Sequence, residues 1–164
     1  MKMLPLKIAL CATLLQAGAV IAAESPASAS GQQITRAGTQ PSITGPAKYF
    51  SGQPARIDPL WPANKDINAS GALVTFEPGA RSAWHTHPKG QFLTVTAGAG
   101  LTQEWGKPVQ VVHPGDVVWC PPGVKHWHGA TATTAVTFLT VSGTVDEKNV
   151  EWMEKVTDEQ YNAK

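Results

Sequence analysis

Gly79-Ala-Arg-Ser-Ala-Trp-His85-Thr-His87-Pro-Lys-Gly-Gln91-Phe-Leu-Thr-Val-Thr-Ala-Gly98 is the stretch whose reading decides the fold. His85 and His87 stand two apart among residues that read as strand, and side chains at i and i+2 of a strand leave by the same face. Both imidazoles therefore point one way and Thr86 the other. Pro88-Lys89-Gly90 reads as a turn, and Gln91 opens an alternating run through Thr96. The spacing predicts a hairpin that returns Gln91 beside the two histidines. A second His-x-His pair follows in Pro121-Pro-Gly-Val-Lys-His126-Trp-His128, so four of the five histidines fall in two such pairs. A lone strand histidine is ordinarily a satisfied surface residue. Two pairs bounded by glycine and proline turns, with an amide at the return, point instead to a metal site, imidazole being the commonest protein ligand near neutral pH.

Outward from this stretch, residues 45–164 read as one all-β domain with short strands at 72–76, 92–96, 109–112, 116–119 and 135–141. Glycines and prolines punctuate the chain between them at strand-length intervals, the pattern of an antiparallel sandwich or barrel. A closed jelly-roll barrel hides its strand edges and leaves a mouth for a site. Only the tail reads as helical, since Thr157-Asp-Glu-Gln160 has the order of a capping box. Trp84, Trp119 and Trp127 are expected to pack strands.

The first 23 residues read as a secretory signal peptide: Lys2 and Lys7, an apolar run, then Ala22-Ala23. Export to the periplasm or the medium is therefore expected, with no membrane anchor after cleavage. Residues 24–44 are rich in Ser, Ala, Gly and Gln and read as a flexible leader, with an edge strand at 34–38. Removing the two leader lysines from 13 basic and 12 acidic residues leaves 11 against 12. That balance offers no basic patch for nucleic acid or a membrane surface. Cys120 is the sole cysteine of the mature chain, so it forms no intramolecular disulfide and reads as a buried, inert thiol.

The pattern Gly79-x5-His85-x-His87-x3-Gln91-x6-Gly98, then Gly115-x5-Pro121-x-Gly123-x2-His126, resembles the two motif blocks of the cupin superfamily. Gln91 stands where most metal-binding cupins carry Glu, and Ala130 where the second block usually ends in Asn. The Gln form is similar to a group of small bacterial cupins that includes the manganese-dependent (R)-selective hydroxynitrile lyases. Gly45-Pro-Ala-Lys-Tyr-Phe-Ser-Gly, Arg56-Ile-Asp-Pro-Leu, Lys125-His-Trp-His-Gly and Trp152-Met-Glu-Lys-Val-Thr-Asp-Glu-Gln-Tyr carry the likeness further, over about the last 130 residues.

The resemblance implies a cupin-type double-stranded β-helix, a homodimer or higher oligomer, and one divalent ion per chain on His85, His87, Gln91 and His126. Three imidazoles and an amide oxygen are neutral donors, so the ion keeps nearly its full charge. They suit Mn, Fe, Ni or Zn, and resemblance selects Mn. His128 shares a face with His126 but lies about 6.6 Å further along, at about 3.3 Å per residue, where it can touch a small-molecule substrate as general base. Ala72, Val74, Phe76, Ser82, Leu93 and Phe138 are expected around the cavity. Phe138 stands where the lyases carry another histidine, which implies a slower reaction. Cyanohydrin cleavage is the implied activity. A quercetinase-type dioxygenase or a non-catalytic ligand-binding cupin would use the same framework.

Overall fold

The computed structural model describes residues 31–163; the signal peptide read over 1–23 lies outside them. Every strand among the described residues belongs to the compact unit Thr35–Lys164. In chain order the strands are β1 (Ile43–Thr44), β2 (Phe50–Ser51), β3 (Arg56–Trp61), β4 (Ala69–Phe76), β5 (Arg81–Ser82), β6 (His85–Thr86) and β7 (Gln91–Gly98). There follow β8 (Gly100–Glu104), β9 (Gln110–Val112), β10 (Val117–Cys120), β11 (His126–Ala130), β12 (Val136–Gly143) and β13 (Glu151–Trp152), then helix α1 (Asp158–Tyr161).

All pairings are antiparallel, in two sheets. One runs β1-β3-β4-β12-β7-β10; the other runs β13-β6-β11-β5-β2, with β8 on the far edge of β11 and β9 beyond it. The five strands read from the sequence are present, with ends that differ by at most a few residues. Two others were masked by their turn residues. Pro59 sits inside β3, at the register shift opposite β4 and beyond the residues that pair with β1. Gly100 sits inside β8 because a Cβ there would come within 2.7 Å of the Phe138 ring.

Two expectations are corrected. The Pro88-Lys89-Gly90 turn does not close a hairpin: β6 pairs with β11 and β13, whereas β7 pairs with β12 and β10. The turn is a corner that carries the chain from one sheet to the other, with Gly90 in the left-handed region at φ 78°. The edge strand also lies elsewhere. Residues 34–38 are irregular because Gly38 is left-handed and Thr39 N–H turns back onto the Arg36 carbonyl; β1 forms the edge instead.

The core follows from strand alternation. Phe76, Leu93, Val95, Val136 and Phe138 point inward and are wholly or nearly wholly buried between the sheets. Trp127 leaves β11 by the opposite face and packs with Trp84, Val156 and Tyr161 under the C-terminal tail. Thr157 and Gln160 form the expected capping box, and the Gln160 amide oxygen accepts the Trp84 indole N–H at 3.1 Å. Arg81, buried, donates to the Val156 carbonyl and the Asp158 carboxylate and so ties this tail to β5.

Gly129 lets β11 lie close against β5. A Cβ there would stand 2.5 Å from the Ala80 carbonyl oxygen and 2.7 Å from the Arg81 Cα, both backbone atoms that cannot swing aside. Gly129→Ala is therefore expected to destabilise the protein by about 1–3 kcal/mol. A denaturation midpoint equal to that of the wild type would contradict the register described for β11.

Candidate metal centre

Both sheets contribute side chains to one buried cluster. β6 brings His85 and β11 brings His126 directly opposite it, their rings 4.3 Å apart by centroid. His87 follows β6 at the corner, and Gln91 enters from the other sheet at the start of β7. The corner that displaced the expected hairpin is what puts Gln91 across from the histidines rather than beside them. His85, His87, Gln91, His126 and His128 are all buried.

Hydrogen bonds fix which ring nitrogen faces inward. His85 Nδ1 meets the Ala83 carbonyl at 2.9 Å, His126 Nδ1 meets the Val124 carbonyl at 3.0 Å, and His87 Nδ1 meets the Asn149 carbonyl. A carbonyl only accepts, so in a neutral ring the proton sits on Nδ1 and Nε2 is left as a bare lone pair. Carbonyl-anchored imidazole of this kind is the usual support of a metal-ligating histidine. The Gln91 amide is oriented in the same manner. Its Nε2 donates to Ser142 Oγ at 3.1 Å, which leaves Oε1 3.4 Å from His126 Nε2. Two acceptor atoms thus face each other, and His87 Nε2 is buried without a partner. Lone pairs so arranged are satisfied by a cation between them.

Proximity alone groups the histidines differently. His85, His126 and His128 each offer a ring nitrogen within 4.8 Å of the others. His128, however, has no carbonyl on Nδ1, which is buried and unpartnered. Its ring is held by edge contacts with Phe76 and Phe138 at 5.5 and 5.4 Å. His87 has both the anchor and the open Nε2. Hydrogen bonding therefore favours His87 as donor and leaves His128 for another task.

Burial makes every one of these rings neutral near pH 7. It holds His85 and His128 well below the ordinary 6.5, each reinforced by neighbouring histidines, and it lowers His126 as well. His87 is pulled by burial down to about 4, against the Asn149 carbonyl that favours its charged form. Cys120, beyond the cluster, is pushed up to about 12 by burial, in keeping with an inert thiol.

The cluster opens onto a cavity of about 220 Å³. His85, His87, Gln91 and His128 form one side; Phe50, Ile57, Ala72, Val74, Phe76 and Trp152 form an apolar side, and Ser82 also lines it. Leu93 and Phe138 do not line it. Both are fully buried behind the wall, because the strand faces that carry them turn into the sandwich core. Phe50, Ile57 and Trp152 of the apolar side escaped the sequence reading, as did Ser70, Ser142 and Asn149. Ser142 had a signal, since the inward face of β12 changes from Val136 and Phe138 to Thr140 and Ser142 as it nears the cluster. Asn149 acts through its backbone carbonyl, which no side-chain pattern reveals.

A family model described as Cupin domain matches residues 72–142. The chain is 58% identical over 129 residues to the (R)-mandelonitrile lyase of Granulicella tundricola, covering 79% of this chain and 98% of that one. Among solved structures, a cupin-like protein from Thermotoga maritima is 38% identical, with a TM-score of 0.67 over 79% of this chain and 95% of its own. A cupin-2 domain protein from Rhodospirillum rubrum shares the fold at 19% identity, with a TM-score of 0.60 over 75% and 81% of the two chains.

Two outcomes are expected of the donor cluster. His87→Ala and His126→Ala should lose a bound divalent transition metal by elemental analysis, whereas His128→Ala should keep it. A metal-free His128→Ala beside a loaded His87→Ala would reverse the assignment. In metal-free protein, the folded-state pKa values lie below the unfolded 6.5, so the unfolded chain binds more protons as pH falls. Stability should be full above pH 6.5 and decline from there to about pH 4 through His87, by about 1.4 kcal/mol per unit for each imidazole that titrates. A thermal midpoint that stays flat from pH 7 to pH 4.5 would show the rings to be solvated.

Proposed function

The chain belongs to the cupin family, and we propose that it is a lyase acting on (R)-cyanohydrins. It splits them into an aldehyde and hydrogen cyanide, or joins the two in reverse. The observation that carries the reading is a buried, unpartnered imidazole, His128, on the wall of the cavity that the donor cluster faces. The 58% identical (R)-mandelonitrile lyase supports it.

His85, His87, Gln91 and His126 are the residues that would hold one divalent ion, manganese by likeness to the hydroxynitrile lyases, with Fe, Ni or Zn suited to the same donors. Bound there, the ion supplies Lewis acidity that stabilises negative charge developing on the substrate oxygen. His128, kept neutral by its apolar surroundings, is the general base. It takes the hydroxyl proton as the C=O bond forms and the carbon–carbon bond to cyanide breaks, then returns that proton to the departing cyanide. The edge contacts of Phe76 and Phe138 hold its ring in place. Phe50, Ala72, Val74 and Trp152 seat the aryl group and keep water from the base. Burial moves the base's titration well below the ordinary 6.5.

The cavity's size also selects. At about 220 Å³ it falls below the roughly 300–1,000 Å³ of drug-sized sites, which favours a compact aryl cyanohydrin over the flavonol a quercetinase-type oxygenase would take. With residues 1–23 read as a signal peptide, we propose further that the reaction takes place in the periplasm or medium, in a homodimer.

Metal-loaded protein should convert (R)-mandelonitrile to benzaldehyde without consuming O2. His128→Ala should lower kcat by about 10²–10⁴-fold while retaining its metal. Turnover no faster than the metal-free control would end the lyase reading, and O2 uptake with a flavonol would replace it with the oxygenase.

A further inference from the structure

Each sheet of the sandwich has an outer face, and the two are covered differently. On the sheet that holds β11, the C-terminal tail packs over Trp84 and Trp127. On the other sheet, alternation along β12, β7 and β10 sends two cross-strand rows outward. Val141, Phe92 and Trp119 stand side by side in one row, and Leu139, Thr94 and Val117 in the next. Residues 35–42 lie at the far side of this sheet, where they share a hollow with β3 and Leu73. Phe92 and Trp119 stay 46% exposed and Val117 60%.

Two features set this face apart from an ordinary solvated sheet. β4, β12, β7 and β10 contain no charged residue at all, whereas a sheet face turned to water is ordinarily polar. Its aromatic pair is also fixed in advance. The Trp119 ring lies over Gly90, where a Cβ would come within 2.3 Å of it, and sits 4.5 Å from the Phe92 ring by centroid. Side chains already held in place lose little freedom when a partner covers them. Of the three tryptophans expected to pack strands, Trp84 and Trp127 are buried and Trp119 is left half uncovered.

We propose that this face meets a second copy of itself, in an isologous contact that packs β12, β7 and β10 of the two chains together through the Val141–Phe92–Trp119 rows. The homodimer read above is the premise, and the contact face is what is added. A two-fold axis sets a patch against itself, so charge of one sign on it would be repelled by its counterpart. An uncharged face meets that condition and offers nothing for a charged partner to match. The area is sufficient. A half-exposed Trp or Phe presents about 100 Å². At about 500 Å² for the two rows, a pair of copies buries about 1,000 Å², the area a specific interface must clear. Trp119 then does pack strands, those of the second chain.

Sedimentation and hydroxyl-radical footprinting of the metal-loaded protein provide the test. The wild type should be a dimer at micromolar concentration. Trp119→Lys, in protein that keeps its metal and its circular dichroism, should raise the dissociation constant at least about 30-fold, the worth of one central aromatic. Val111→Lys, at an exposed apolar residue of β9, should leave it unchanged. Footprinting needs no substitution: Trp119 should be protected in the dimer, while Trp105, about as exposed in the single chain, should react. A wild-type monomer would overturn the homodimer and the face together, and a monomer that binds phosphatidylcholine vesicles would give the face to lipid. A wild-type dimer that survives Trp119→Lys, or in which Trp119 reacts as fast as Trp105, would overturn the face and leave the homodimer standing.

Discussion

Lone pairs held face to face are the constraint on which this structure turns. Three backbone carbonyls take the Nδ1 protons of His85, His87 and His126, and Ser142 takes an amide proton of Gln91. What remains pointing inward is three bare imidazole nitrogens and an amide oxygen, on side chains that are all buried. Unsatisfied acceptors in such a place are unfavourable by themselves. The β-framework supplies the rigidity that keeps them there, and the same desolvation keeps the rings unprotonated and able to bind a cation. Fold and site are in this sense one problem: the donors come from two different sheets, so only the closed sandwich assembles them.

The two remaining features of the centre follow from differences in support. His87 and His128 are both buried and both carry an unpartnered ring nitrogen. On His87 it is Nε2, with Nδ1 anchored; on His128 it is Nδ1, with aromatic edges in place of a carbonyl. A ring whose tautomer is fixed is suited to ligation. One held only by packing can accept a proton on either side and suits acid–base work. The apolar half of the cavity then provides a seat for a hydrocarbon group next to both.

Much of this was legible in the chain. Two His-x-His pairs on strand parity, with Gln91 at the return, located the cluster, and the glycine and proline spacing gave the all-β architecture. The misreadings have local causes. Pro88-Lys89-Gly90 looks the same in sequence whether it closes a hairpin or turns a corner between sheets, because both need one left-handed residue; the partner strands decide, and they are distant in sequence. Leu93 and Phe138 share inward faces with cavity residues, and parity cannot say how deep along a strand the cavity reaches. Asn149 contributes a carbonyl, an atom every residue owns.

The central claim is that His85, His87 and His126 are held as neutral rings with the proton on Nδ1 before any metal arrives. Long-range 1H–15N correlation spectra of the metal-free protein, labelled on histidine and recorded near pH 7, measure this directly. The account predicts the Nδ1–H tautomer for all three. Imidazolium, or a proton on Nε2 at any of them, would contradict it.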